Sequence, residues 1–232
     1  MTFPASPVEG VLDDGQRVAF RPLRRDDRES LREAFARMSP QSRYRRFFSP
    51  LDHLSEQQLD YLTNIDFIDH VAWVAFLPDE PGAPGVGVAR WVRDRDDPEV
   101  AEAAVAVIDD YHRRGIGRAL LRLLTESAVS LGVKRFQAFV LGDNDPMLTL
   151  FQSLGAHIAG AHAGTIEVLV PLPDDIEQLQ HTPAPRILRA TAEGRVEGRT
   201  GPRGQGTHFF AHVAARAAEA QSALKEGDTP GV

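Results

Sequence analysis

Residues 107–120 read VIDDYHRRGIGRAL. An apolar run, AEAAVAVI at 101–108, enters a short charged turn, and the turn opens into a helix. The helix is legible from Ile116, Ala119, Leu120, Leu123, Leu124, Ala128 and Leu131, which fall on one face at helical spacing over 115–131. Gly132 closes it. A helix start carries unpaired N–H groups and a partial positive charge, so it attracts anions. Gly115 and Gly117 remove side chains that would hold a phosphate at a distance, and Arg113, Arg114 and Arg118 add charge. The spacing is neither GxxxxGK[ST] nor GxGxxG. Chemically this is a pyrophosphate site. The plainer alternative is a strand–helix turn with solvated arginines, and on the local glycine pattern both stand.

Upstream, VAWVAFL (71–77) and VGVARWV (86–92) flank the turn DEPGAPG and predict a hairpin, with 101–108 as the next strand. Earlier still, RVAFR (17–21) predicts a first strand closed by Pro22. Three helix starts follow: Asp26 with Glu29 as a capping box, Ser39 capping a helix with Pro40 in its first turn, and Ser55 with Gln58 as another box. Downstream, RFQAFVL (135–141) and TIEVLV (165–170) predict strands around a short helix at 147–154. The expected fold is α+β, with a central mixed, mostly antiparallel sheet flanked by helices. It should occupy 17–173, after a flexible lead-in at 1–16. Residues 174–232 are expected to be a low-order tail, rich in charge, Pro, Gly and Arg as far as 206, with an alanine-rich stretch at 208–225 that reads as a helix of thin apolar face.

Composition limits the function. The 232 residues carry a net charge of -7, which argues against non-specific nucleic-acid binding and gives no sign of a membrane-surface partner. The chain has no cysteine, so it has no disulfide, thiol nucleophile or Cys-ligated zinc. His208 and His212 have ligand spacing but no third ligand nearby, so no metal is expected. The N-terminal MTFPASPVEGVLDDG lacks the basic and apolar regions of a signal peptide, so a cytoplasmic protein is expected.

HRRGIG resembles the acyl-CoA loop of GNAT acetyltransferases, (Q/R)xxGx(G/A), with His112 at the first position in place of Gln or Arg. The segment DNDPMLTLFQSLGA is similar to a second motif of that superfamily, with Asn144 at its Asn position and Gly155 at its Gly. Phe151 stands where many members carry a tyrosine that protonates the leaving thiolate, which excludes a tyrosine acid at that position. Residues 39–66 and 98–117 resemble bacterial protein lysine acetyltransferases of the Pat type. Members of that group often carry a fused regulatory domain, and no such stretch is read here. The resemblance implies acetyl-CoA as co-substrate. Its pyrophosphate would lie on the backbone of Arg113, Arg114, Gly115, Ile116, Gly117, Arg118 and Ala119, with His112 shaping the loop. Its pantetheine arm would lie along the strand at Val107, and Asn144 would be a further cofactor-binding residue.

The resemblance also places the family's general base on Glu102. That residue is notable by itself as a carboxylate inside an apolar strand. An amine acceptor is mostly protonated near neutrality, and a carboxylate of raised pKa can take its proton. The alternative is a strand-end glutamate in solvent. Glu99, Asp109 and Asp110 are weaker candidates, the two aspartates being turn residues. Arg43, Arg45 and Arg46 either wall the substrate or face solvent, Tyr44 either joins that wall or packs under the sheet, and Phe47 and Phe48 are expected to pack under the sheet. The expected acceptor is a protein lysine, for instance on an acyl-CoA synthetase. A small-molecule amine acetyltransferase and a non-catalytic acyl-CoA sensor are the alternatives.

Overall fold

The computed structural model describes residues 3–4, 6–181 and 195–196. The predicted helix at 208–225 and the His208/His212 pair lie outside the described residues. The main sheet has eight strands: β1 Val8–Val11, β2 Arg17–Pro22, β3 His70–Phe76, β4 Gly85–Arg93, β5 Val100–Val107, β6 Arg135–Leu141, β7 His157–His162 and β8 Thr165–Pro171. Their order is β1-β2-β3-β4-β5-β6-β8-β7. Every neighbouring pair is antiparallel except β5 and β6. A parallel pair needs a crossover, and α4, Ile116–Ser130, supplies it. A two-residue ladder of Phe3–Pro4 with Arg195–Val196 forms a separate sheet.

The two faces of the sheet differ in chemistry. On one, α4 buries Ile116, Ala119, Leu120, Leu123 and Leu124 against Val71, Trp73, Ala89, Trp91, Ala103 and Val105. Each large aliphatic side chain buried there contributes on the order of 2 kcal/mol. Trp91 Nε1 donates to Ser127 Oγ at 3.0 Å, satisfying the indole inside the contact. Gly87 leaves α4 room: a Cβ there would stand 3.1 Å from Leu120 and 3.3 Å from Ile116.

The other face is covered by α1 Arg28–Ala36, α2 Pro40–Phe47 and α3 Glu56–Thr63. Their core is small: Phe35, Phe47, Leu54, Leu59 and Leu62. Ser39 caps α2 by accepting from the Ser42 amide, and the Ser55/Gln58 box opens α3, both as expected. The Asp26/Glu29 box does not form. A 3-10 turn, Arg25–Asp27, precedes α1, and Asp27 is committed to Arg21 (2.6 and 2.7 Å) and to the Arg24 amide (2.6 Å).

Two strands go unannounced in the sequence. β1 lies within the stretch expected to be a flexible lead-in, and β7, HIAGAH, is almost wholly exposed. Both are edge strands, held by a ladder on one side rather than by burial. In the expected tail, α6, Ile176–His181, lies against α4; α5 is Asp145–Gln152.

Candidate active site

β5 and β6 pair over only three positions: Val100 with Arg135, Ala101 with Phe136, and Glu102 with Gln137. Beyond Glu102 each strand is committed elsewhere. β5 stays paired with β4 as far as Val107, and β6 stays paired with β8 as far as Leu141. The sheet therefore opens into a cleft of about 570 Å³ with Glu102 among its lining residues. Past that residue the free edge of β5 has no strand neighbour, so its peptide groups need other partners. The Ile108 amide donates to Val86 O on β4. Strand alternation then turns the peptide groups of Val107 and Val105 toward the gap.

The phosphate-binding end is built by the loop before α4. Gly115 is the N-cap of α4 at φ 83°, a conformation that costs an L side chain about 1–2 kcal/mol. Ile116, Gly117 and Arg118 form the first turn of α4, where amides have no intrahelical partner. A Cβ on Gly117 would meet Leu150 at 3.6 Å and Val107 at 3.7 Å, ordinary contacts. The fold itself thus tolerates a side chain at Gly117, so its absence leaves space in the cleft that Gly117 lines. Arg113 and Arg118 are exposed beside that space. His112 bridges the loop, its Nε2 lying 2.8 Å from Val107 O. A carbonyl only accepts, so Nε2 carries the proton.

Two sequence expectations need correction. The Arg114 side chain is paired with Asp14 and lies 4.9 Å over the Tyr111 ring; only its backbone is left for an anion. The Ala119 amide is spent on Gly115 O at 3.0 Å, because it is the first amide deep enough in α4 to find an intrahelical acceptor. Ile116 is core, as its place on the apolar face of the helix predicts, with the residue 1 % exposed.

Glu102, Ala104 and Ala106 alternate on the β5 face opposite α4. The two alanines leave that floor low, which gives the alanine-rich strand a local meaning. Glu102 is half-buried. Burial pushes its pKa up to about 7, opposed by Arg46 and assisted by Asp94. On the far wall stand Asn144, Met147, Leu150 and Phe151. Asn144 is the N-cap of α5, and Phe151 is buried with no proton to give.

α2 overhangs the cleft. Asp109 accepts from the Ser39 amide (2.9 Å), Ser39 Oγ (2.7 Å) and Ser42 Oγ (2.7 Å), tying the start of α2 to the end of β5. Arg45 and Arg46 line the cleft, and Arg45 reaches across to Asp143 O at 3.0 Å. Arg43 instead donates to Phe35 O, Ala36 O and Asp52 O. Phe47 is buried as expected, whereas Phe48 lines the cleft at φ 54°. Sequence reasoning missed a further group under α1–α3. Arg90 of β4 is 3 % exposed and donates to Leu62 O (3.2 Å) and to His70 Nε2 (3.0 Å). The signal was available: Arg90 interrupts VGVARWV as Glu102 interrupts its own strand.

The Acetyltransferase (GNAT) family model matches residues 29–156, more than half the chain and all of this cleft. The chain belongs to the GNAT acetyltransferase family. Among GNAT relatives, it is 33% identical over 168 residues to Acetyltransferase Pat of Mycolicibacterium smegmatis, covering 72% of this chain and 50% of that protein. It thus spans about half the length of that relative. It is also 33% identical over 144 residues to Acetyltransferase PA5475 of Pseudomonas aeruginosa, covering 62% of this chain and 77% of that one. The GNAT domain of S. lividans PAT superposes with a TM-score of 0.66 at 29% identity, covering 72% of this chain and 97% of that domain. Among the described residues no helix is long and apolar enough to cross a membrane, and no group of three His, Asp or Glu is placed to hold a metal.

Proposed function

We propose that this GNAT chain is an acetyl-CoA-dependent N-acetyltransferase acting on a primary amine, with a protein lysine as the acceptor and Glu102 as general base. The observation that carries the reading is the three-residue pairing of β5 and β6. It leaves one cleft lined both by Gly115, Gly117 and Arg118 of the amide-rich turn and by a carboxylate of raised pKa. The pyrophosphate would rest on the backbone of Arg113, Arg114, Gly115, Ile116, Gly117 and Arg118. The pantetheine amides would take the free peptide groups of β5, with Asn144 on the opposite wall.

The reaction is direct transfer. Glu102 removes a proton from the ammonium, directly or through water, and the amine nitrogen attacks the thioester carbonyl. The oxyanion accepts from a β5 amide near Val107. The C–S bond then breaks, the electron pair leaves on sulfur, and the second proton of the acylated nitrogen passes to water. Phe151 supplies no acid, so the thiolate departs as an anion or is protonated by water. A base with a pKa near 7 is matched to neutral pH. The lysine acceptor is supported by the two Pat relatives; an acyl-CoA synthetase bearing that lysine is the partner proposed, with a cytoplasmic setting.

The test is CoA release from acetyl-CoA with folded proteins, lysine-containing peptides and polyamines as acceptors. Acetylation of a protein lysine is expected. Activity on polyamines alone would replace the acceptor class, and binding of acetyl-CoA with no product from any acceptor would favour a sensor.

A further inference from the structure

Two guanidinium groups are sunk between α1–α3 and the sheet, on the face that carries Glu102. Arg90 is fixed by three hydrogen bonds to two acceptors: the Leu62 carbonyl accepts from both of its terminal nitrogens at 3.2 Å, and His70 Nε2 lies at 3.0 Å. A guanidinium only donates, so His70 Nε2 is an acceptor and the ring is neutral. Burial and the Arg90 charge hold the His70 pKa well below its ordinary value, in agreement with that assignment. Arg90 therefore stays the cation of the pair, with its pKa brought to about 9 by burial and by Arg46.

Arg46 is the second cation. It comes from α2, its guanidinium 5.1 Å over the Phe47 ring, and it borders both the cleft and a smaller apolar cavity beneath α1–α3 that Arg90 also lines. Arg46 repels Arg90, with which it shares the smaller cavity, and attracts Glu102, with which it shares the cleft. α2 cannot drift away, because Asp109 pins its first turn with three hydrogen bonds. The other groups around Glu102 are the Tyr61 phenol of α3, the Asp94 carboxylate after β4, and Gln137, its β6 neighbour. Tyr61 is neutral near pH 7, its pKa raised by burial, and Gln137 donates away from the cleft to Glu167 at 2.6 Å. Arg46 is thus the cation that acts on Glu102.

We propose that Arg46 is a positioning residue for the transfer: carried by α2 into the cleft that Glu102 also lines, and backed by Arg90, it readies that carboxylate to take the acceptor's proton. This rests on the reading of Glu102 as the base. Without Arg46, burial and Asp94 act on Glu102 unopposed, and its proton is lost only at higher pH.

The test is a carboxyl ¹³C NMR titration of the full chain labelled in glutamate, with Glu102 assigned from Glu102→Gln. It is run on wild type, Arg46→Met and Arg46→Lys, and repeated as the pH profile of kcat/KM with poly-L-lysine as acceptor. Wild type should titrate near 7. Arg46→Met should titrate about one unit or more higher, with the acid limb of kcat/KM moved equally, and Arg46→Lys should return both toward wild type. Arg46→Gln serves if the Met variant does not fold. A Glu102 midpoint that stays put in the neutral variant overturns the proposal, even if Glu102→Gln abolishes transfer. A midpoint that moves while Glu102→Gln transfers at the wild-type rate overturns the base reading and, with it, the catalytic meaning of Arg46.

Discussion

Gly115 and Gly117 look alike in the sequence and differ in cause. Gly115 sits at φ 83°, so its replacement strains the backbone whatever binds nearby. Gly117 is the first-turn residue whose added Cβ meets only ordinary contacts. Gly117→Ala should therefore leave the fold as stable as wild type or up to about 1 kcal/mol more so, from helix propensity alone. It should also weaken acetyl-CoA binding by roughly tenfold, the scale of 1.4 kcal/mol in affinity. Gly115→Ala should instead cost about 1–2 kcal/mol of stability. Thermal unfolding beside calorimetric titration separates the two. Equal stability loss in both variants would mean that Gly117 serves the fold and not a ligand. The sequence exposes the glycine spacing but not the φ angles or the neighbours, so this distinction was not legible before the structure.

At the scale of elements, the connection between β5 and α2 joins the cofactor side of the cleft to its roof. Asp109 reads in the sequence as a turn residue. It does end the strand, but its carboxylate also accepts three hydrogen bonds from Ser39 and Ser42, some seventy positions upstream. Those bonds, with burial working against them, hold its pKa below the usual carboxylate range. Asp109→Ala should cost about 1–3 kcal/mol, since the Ser39 amide and both hydroxyls lose their acceptor in a half-buried place. It should also raise KM for the amine more than KM for acetyl-CoA, because α2 carries Arg45 and Arg46 over the acceptor side. Urea unfolding and steady-state kinetics check both; an unchanged midpoint would show that the tie carries no weight. Helices with caps and a full apolar stripe, such as α4, were readable because local and tertiary forces agree there. α1 began late because Arg21, a residue of β2, claims Asp27, and no local pattern announces that partner.

Across the whole molecule, the sequence and the structure agree on what the sheet is and differ on where it ends. The central strands were legible because burial on two faces writes itself into composition. The edge strands β1 and β7 were not, because pairing alone holds them. The same holds for the site: Glu102 and the loop at 112–118 announce themselves as a charge in an apolar strand and as glycines before a helix. Their union in one cleft depends on the parting of β5 from β6, which no residue spells out. The central claim is that this opening brings together an acyl-CoA and a base. It is tested most directly by single-turnover transfer from acetyl-CoA in wild type and Glu102→Gln, with acetyl-CoA affinity measured on the same samples. The account predicts that the variant binds acetyl-CoA within about twofold of wild type and transfers roughly a hundredfold or more slowly. Transfer within a few-fold of the wild-type rate, with binding intact, would contradict it.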